Sequence, residues 1–388
     1  MWQFRSPEIV FGENALTHLA GLTGRRAFIV TDPVIVSLGH VDTVREQLQA
    51  AGMDCAVFTE VEPEPSLQTT RRGAEAIRAF QPDWIVGLGG GSVMDAALVM
   101  RILYERPDLP PEAINPFEPL GLTSKVRLIC VPTTAGTGSE VTVGAVLTDV
   151  EAQRKLEVAS FEAIADIAIV DPQLTAHMPR QLTADTGMDV LTHSVEGYSS
   201  TWANDFTDGL CLQATRMAFD YLPRAVEHGA ADPEAREKMA NAATIAGLGM
   251  GNSHIALAHA MGHGAGAIFH LPHGRITGLA LPYTIEYAAN GGAGRYLELT
   301  KFVGLPVEDE TQAGTCLASA IRDLMRRIGQ PLSLQAAGVS RENFEANLGA
   351  TCDRAEMDAS LITTRRIPER AELERLFRYA YEGKSIDF

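Results

Sequence analysis

The chain has 388 residues, 46% hydrophobic and 21% charged; this is the composition of a soluble globular protein, too long for one ordinary core. A net charge of −17 with no cluster of Lys and Arg excludes a nucleic-acid surface. No segment approaches the roughly eighteen uninterrupted apolar residues of a membrane span, and MWQFRSPEIVFG at the start has no charged-then-apolar targeting pattern; a cytoplasmic protein without membrane segments is expected.

In chain order, residues 26–31 (RAFIVT) predict a buried strand, 41–51 a helix and 55–58 a second strand. A helix over 67–80, a strand over 83–86, a helix over 92–104 and a strand over 126–131 (VRLICV) follow and close the series. Short apolar runs between helices, without strict alternation, predict a parallel sheet covered on both faces, the doubly wound α/β plan. The connectors VEPEPS and ERPDLPPEAINPFEP punctuate it. Beyond residue 180 the β-branched runs nearly vanish. Segments 182–199, 210–227, 233–250, 256–262, 283–289, 318–328 and 370–381 predict helices. Two domains are expected, an α/β domain over 1–184 and an all-α domain over 185–388.

Two loops of the first domain suit a nucleotide. Gly87-Leu88-Gly89-Gly90-Gly91-Ser92 follows the strand DWIV and opens a helix; such a turn lets backbone approach a pyrophosphate at a helix N-terminus. It is not GxGxxG, since Ser92 takes the last glycine position, and alone it is as often structural. The loop PTTAGTGS after VRLICV brings hydroxyls and glycines to a second strand end of the same sheet. The candidate cofactor-binding residues are Gly89, Gly90, Gly91, Ser92 and Asp95 with Thr133, Thr134, Thr137 and Ser139. Asp32, ending the first strand, can accept hydrogen bonds from ribose hydroxyls and would repel a 2′-phosphate; Asp32-Pro33 reads equally well as a turn starter.

The second domain carries the metal signal. Five of the ten histidines lie in HIALAHAMGHGAGAIFHLPHG, residues 254–274. His259 and His263 share a helix face, and His273 follows a Gly-rich break and Pro272. Asp189 and His193 repeat the four-residue spacing in TGMDVLTHSVEGY, within an apolar frame. A buried carboxylate and imidazoles need partners, and a divalent ion such as Fe(II), Zn(II) or Ni(II) supplies them. Spacing alone does not separate His259 from His263. The five cysteines are scattered without a CxxC; free thiols in a reducing compartment are expected and a thiolate zinc site is not.

Taken in order, FGENAL, GGGSVMDAA, PTTAGTGSEVT, TGMDVLTH, HAMGHGAGAIFHLPHG and FRYAYEG resemble the iron-containing (group III) alcohol dehydrogenase family along essentially the whole chain. With LYERP at 103–107, the resemblance is greatest to the alcohol dehydrogenase part of bifunctional aldehyde/alcohol dehydrogenases. The resemblance implies a dehydroquinate synthase-like fold: a Rossmann-like nicotinamide-binding domain, a helical metal-binding domain and a cleft between them. It puts the metal ligands at Asp189, His193, His259 and His273, and His263 beside the metal. It sets Lys155 near the cofactor and Asp32 at the acidic position associated with NAD over NADP. Two positions depart from the family pattern: Leu98 replaces the lysine of GGGSxxDxAK, and Glu64 stands where Asn is common. Both are expected near the cofactor crevice.

The expected activity is reversible hydride transfer between a small primary alcohol or aldehyde and NAD(H), with Fe(II), or Zn(II) or Ni(II), as Lewis acid. His263 is the candidate catalytic residue, relaying a proton to solvent; a structural role for it weighs equally. By analogy the enzyme is a homodimer or higher homo-oligomer. On the same fold, a hydroxyacid–oxoacid transhydrogenase or a glycerol/diol dehydrogenase is the alternative. A dehydroquinate synthase is disfavoured because its basic phosphate-binding residues are not evident. Two cofactor loops beside an Asp/His cluster disfavour a non-catalytic sensor.

Overall fold

The computed structural model describes residues 3–116, 118–151 and 154–388. The first two residues of the N-terminal segment, Phe117 of the second Pro-rich connector, and Ala152 and Gln153 lie outside the described residues. The chain divides into two compact units, Met1–His177 and Met178–Phe388.

The first unit runs β1 (Glu8–Phe11), β2 (Arg26–Val30), α1 (Pro33–Ser37), α2 (His40–Ala50), β3 (Asp54–Phe58), α3 (Leu67–Phe80), β4 (Trp84–Gly89), α4 (Gly91–Glu105), β5 (Arg127–Pro132), β6 (Gly144–Asp149), β7 (Arg154–Ala159) and β8 (Ile167–Val170). Among the described residues six strands form one parallel sheet in the order β1-β8-β5-β4-β2-β3. Period-2 alternation divides each central strand between two cores. Phe28, Val30, Ile85 and Leu128 face one with α3 and α4, while Ala27, Ile29, Val86 and Ile129 face the other with α2. The doubly wound expectation therefore holds. From β2 the chain goes to β3 on one side and then crosses to β4 on the other, so strand order reverses between β2 and β4. Ligands of open α/β sheets bind at the carboxyl ends of strands at such a point. Asp32 lies two residues beyond β2 there, and the Thr31 hydroxyl donates to the Leu88 carbonyl across the gap (2.8 Å).

The strand series does not close at β5. β8, whose four residues IAIV are all buried, lies between β5 and the edge strand β1. β6 and β7 form a separate antiparallel hairpin.

The second unit is helical: α5 (Arg180–Ser199), α6 (Asp205–His228), α7 (Pro233–Gly251), α8 (Leu257–Phe269), α9 (His273–Asn290), α10 (Leu297–Phe302), α11 (Glu310–Ile328), α12 (Arg341–Glu356) and α13 (Arg370–Glu382). α5 is buried on all sides from Gly187 to Ser199, the mark of a core helix. The Gly-rich stretch after His263 is not a break. α8 continues through Gly264 and Gly266, because these glycines are sites of close approach rather than turns. A Cβ at Gly262 would press into Thr277 of α9, and one at Gly264 into the backbone of α12. The break is His270–Pro272, where His270 takes a left-handed conformation (φ 54°). α9 consequently starts at His273 and carries Pro282 inside it, not at its head. No helix among the described residues is long and apolar enough to cross a membrane.

Candidate metal centre and nucleotide loops

Three helices of the second unit bring one carboxylate and three imidazoles together. α5 contributes Asp189 and His193 one turn apart, α8 contributes His259, and His273 is the first residue of α9. One ligand-type atom from each lies within 4.8 Å of all the others. The Nε2 atoms of His273, His193 and His259 stand 3.4, 3.7 and 3.9 Å from Asp189 Oδ1. These separations are too long for good hydrogen bonds. They approach the roughly 3.3–3.6 Å between donors bound at about 2.0–2.2 Å to one tetrahedral cation. His259 Nε2, the atom that faces Asp189, is buried with no hydrogen-bond partner among the described residues, an arrangement costly without a further ligand. The donor set thus fits a divalent transition ion.

The electrostatics agree. Burial pushes the Asp189 carboxyl up, but His193, His273, His259 and the Thr277 hydroxyl outweigh it and hold it below the usual range. Burial, then the neighbouring His193 and His273, drive His259 well below its ordinary value despite Asp189. His273 is lowered too, by its crowded surroundings and against Asp189, although its side chain is 46% exposed and solvent tempers the effect. Neutral imidazoles and an ionised carboxylate are the forms that ligate metal.

His263, one turn beyond His259, is outside this quartet. Its Nδ1 is 2.7 Å from Asp358 Oδ2, and its ring lies 5.2 Å from that of His273. Burial would raise the Asp358 carboxyl, but His263 and Ser360 hold it near 2. Two carboxylates outside the sequence-derived candidates therefore touch this cluster: Asp358 on His263, and Glu196 on His259 (Nδ1 to Oε2, 2.5 Å). Burial pushes the Glu196 carboxyl up to about 7, against its backbone donors Ala256 and Ala258. Glu196 was findable, because it follows Asp189 and His193 at positions i, i+4 and i+7 of one helix face. Asp358 had no such signal, being distant in sequence.

In the first unit the two loops meet. β4 and β5 are parallel neighbours in register Gly89↔Pro132, and the Thr133 N–H donates to the Gly89 carbonyl (2.9 Å). Gly90 is the N-cap of α4, with no side-chain cap and no acidic residue in the first turn. The helix N-terminus thus remains suited to an anion. A Cβ at Gly90 would meet only Thr134, at 3.5 Å, whereas one at Gly91 would press into Thr137. Ser92 follows in the first turn of α4. Asp95 is engaged by protein on both oxygens: Ser139 Oγ donates to Oδ1 (2.5 Å) and the Val146 N–H to Oδ2 (2.9 Å). It ties α4 to the Thr/Ser loop and to the hairpin.

Asp32 does serve as a turn starter, its Oδ1 accepting from the Val34 and Ile35 N–H groups to cap α1; those bonds leave Oδ2 for another donor. Lys155 on β7 pairs with Glu64 (2.8 Å) and Thr148 (3.0 Å), so the unusual Glu64 engages the lysine that the resemblance sets near the cofactor. Leu98 departs from the expectation of a place by the cofactor crevice: it is 3% exposed, packed in the core between sheet and helices.

Comparison with known proteins places this geometry. The family model for iron-containing alcohol dehydrogenase matches residues 6–172, and that for the C-terminal part of the Fe-containing alcohol dehydrogenase family matches residues 183–381. The chain is 35% identical to the NADPH-dependent butanol dehydrogenase of Clostridium saccharobutylicum, covering 100% of both. It is 36% identical to the bifunctional aldehyde-alcohol dehydrogenase of Escherichia coli (strain K12), over 93% of this chain but 43% of that longer protein. A 1,3-propanediol oxidoreductase structure superposes with TM-score 0.89 at 31% identity, covering 98% of this chain and 100% of that one. The chain belongs to the iron-containing alcohol dehydrogenase family and is an NAD(P)-linked oxidoreductase.

Proposed function

We propose that the protein interconverts small primary alcohols and aldehydes, with NAD(H) as hydride partner and a divalent ion, Fe(II) by family, held by Asp189, His193, His259 and His273. The observation that carries this reading is the convergence of one carboxylate and three imidazoles, all but His273 buried. A divalent ion there supplies Lewis acidity to the substrate oxygen. Bound nicotinamide would supply the hydride acceptor for alcohol oxidation and the hydride donor for aldehyde reduction, with one proton released or consumed. Gly89, Gly90, Gly91 and Ser92 offer backbone to the cofactor phosphates, with Thr133, Thr134 and Thr137 alongside. Asp95 and Ser139 brace that loop, and Lys155 supplies a cation beside it. Asp32 Oδ2 accepts from a ribose hydroxyl and disfavours a 2′-phosphate, although the Clostridium relative is named as NADPH-dependent. His263, oriented by Asp358, moves the hydroxyl proton toward solvent.

A diol substrate is the second reading, favoured by the likeness to 1,3-propanediol oxidoreductase. The five cysteines, all unpaired, support a reducing, cytoplasmic location; a homo-oligomer completes the proposal. The test is NADH oxidation by protein stripped of metal and reloaded anaerobically with Fe(II), Zn(II) or Ni(II), across short aldehydes and hydroxyaldehydes. Metal-dependent turnover of simple aldehydes supports the first reading. Turnover confined to hydroxyaldehydes supports the second, and turnover indifferent to metal overturns both.

A further inference from the structure

Glu196 is a buried carboxylate, 3% exposed, on the same face of α5 as two of the proposed ligands. It accepts from the Ala258 N–H through Oε1 (2.5 Å) and from the Ala256 N–H through Oε2 (3.0 Å). His259 Nδ1 approaches the same Oε2 at 2.5 Å. α8 begins at Leu257, and its N-cap, Ala256, has no side-chain cap of its own. Glu196 therefore serves as a cap borrowed from another helix, placing a carboxylate where two orphan N–H groups and the helix dipole favour one.

These bonds fix more than the helix end. The two backbone groups facing Glu196 can only donate, so against the ionised carboxylate a hydrogen bond with the ring requires His259 to donate from Nδ1. A neutral imidazole has a single N–H. With that proton on Nδ1, the lone pair sits on Nε2, the atom that is buried without a protein partner and faces Asp189.

We infer that Glu196 is the positioning residue of the metal centre: by capping α8 and accepting the Nδ1 proton of His259, it sets that imidazole as an Nε2 ligand before any ion arrives. The inference rests on the ligand assignment proposed above. Carboxylates that accept from the second nitrogen of a ligating histidine fix its tautomer and orientation. Here the same side chain also registers α8 against α5, the two helices whose ligands must meet.

The substitution that separates charge and acceptor pattern from size is Glu196→Gln. Its single oxygen cannot replace both carboxylate oxygens. An amide NH2 in the Oε1 place meets the Ala258 N–H. In the Oε2 place it meets the Ala256 N–H and forces His259 to carry its proton on Nε2. The experiment titrates Co(II) into metal-free full-length wild type, Glu196→Gln, His259→Ala and the double variant. It reads the dissociation constant by chelator competition and the ligand field from the visible Co(II) spectrum. Expected is a loss of about 10–100-fold for Glu196→Gln, an altered spectrum, and little further loss when the substitution is added to His259→Ala. Wild-type affinity in Glu196→Gln alongside a weakened His259→Ala overturns the inference alone. So does an equal loss from Glu196→Gln with or without His259, which marks a purely structural role. Unchanged affinity in His259→Ala overturns the ligand assignment itself. If Glu196→Gln does not fold, Glu196→Asp takes its place, one methylene short of His259. Weakened binding that depends on His259 then supports the inference, and wild-type affinity refutes it.

Discussion

Gly274, immediately after His273, offers a sharp test of how closely α9 must approach α5. A Cβ built there would lie 3.0 Å from the Cβ of Asp189 and closer still to the Asp185 carbonyl oxygen, nearer than real Cβ atoms come. The obstacle is backbone of a core helix, so Gly274→Ala must shift the start of α9 by more than a few tenths of an ångström. Two energies oppose each other. Alanine gains about 0.8–1.0 kcal/mol over glycine in a helix, while overpacking costs about 1–3 kcal/mol. The net stability change is thus between nothing and about 2 kcal/mol, and the metal-free melting temperature falls by only a few degrees. Metal geometry is less forgiving, because ligand distances hold to about 0.2 Å. The shift falls on both Asp189 and His273, whose Oδ1 and Nε2 stand 3.4 Å apart. We expect at least a tenfold loss of metal affinity, about 1.4 kcal/mol, read by chelator competition beside calorimetry of the metal-free protein. Gly209→Ala on α6, where a Cβ meets nothing within 4 Å, is the control and should gain stability with metal affinity unchanged. Wild-type affinity in Gly274→Ala, with the control behaving as stated, would refute the argument that close helix approach sets the ligand geometry.

Asp189→Ala and His273→Ala should lose bound metal and turnover together; full metal occupancy in both variants would exclude them as ligands. Asp32→Gly should raise the ratio of kcat/KM for NADP over NAD. Glycine at an N-cap costs only a few tenths of a kcal/mol relative to Asp, so an unmoved ratio would leave Asp32 a helix cap and nothing more. Asp95 gives a pH prediction: burial pushes its carboxyl from 3.8 up to about 6, against the Ser139 and Val146 donors. The folded state then holds a proton that the unfolded chain releases between pH 3.8 and about 6, so stability falls as pH rises through that window. At about 1.4 kcal/mol per pH unit, the effect is at most about 3 kcal/mol. Asp95→Asn should flatten this part of the denaturation profile, and an identical slope in wild type and variant would sink the assignment.

Much of this was legible in the residues, and the omissions have physical causes. Helix α3 is legible at its observed bounds because its apolar positions keep a helical period; in the structure Ser66 caps it. β1 and β8 escaped notice because each has only four residues, and β1, an edge strand, is not fully buried. The hairpin strand β7 carries Lys155 and Glu157 among apolar residues, a weak signal beside the continuous runs of the main sheet. The glycines of α8 looked like a break because local propensity opposes a helix there. Only the partner helices, which need the missing side chains, show why the helix persists. Proximity of Asp189, His193 and the later histidines was foreseeable from burial chemistry. That His263 stands apart from the quartet depends on which face of α8 meets α5 and α9, and spacing carries no such information.

The quartet also reaches across a long stretch of chain. Asp189 and His273 are held side by side by α5 and α9, with three further helices threaded between them. An ion bound by both ends, as proposed, would act as a removable crosslink closing that loop. Occupancy at a thousand times the dissociation constant adds about 4 kcal/mol to the folded state. Because the linker His270–Pro272 lies directly beside one end of this crosslink, withdrawal of the ion should first loosen the junction of α8 and α9. Cleavage by a protease there would then report metal occupancy without any substrate.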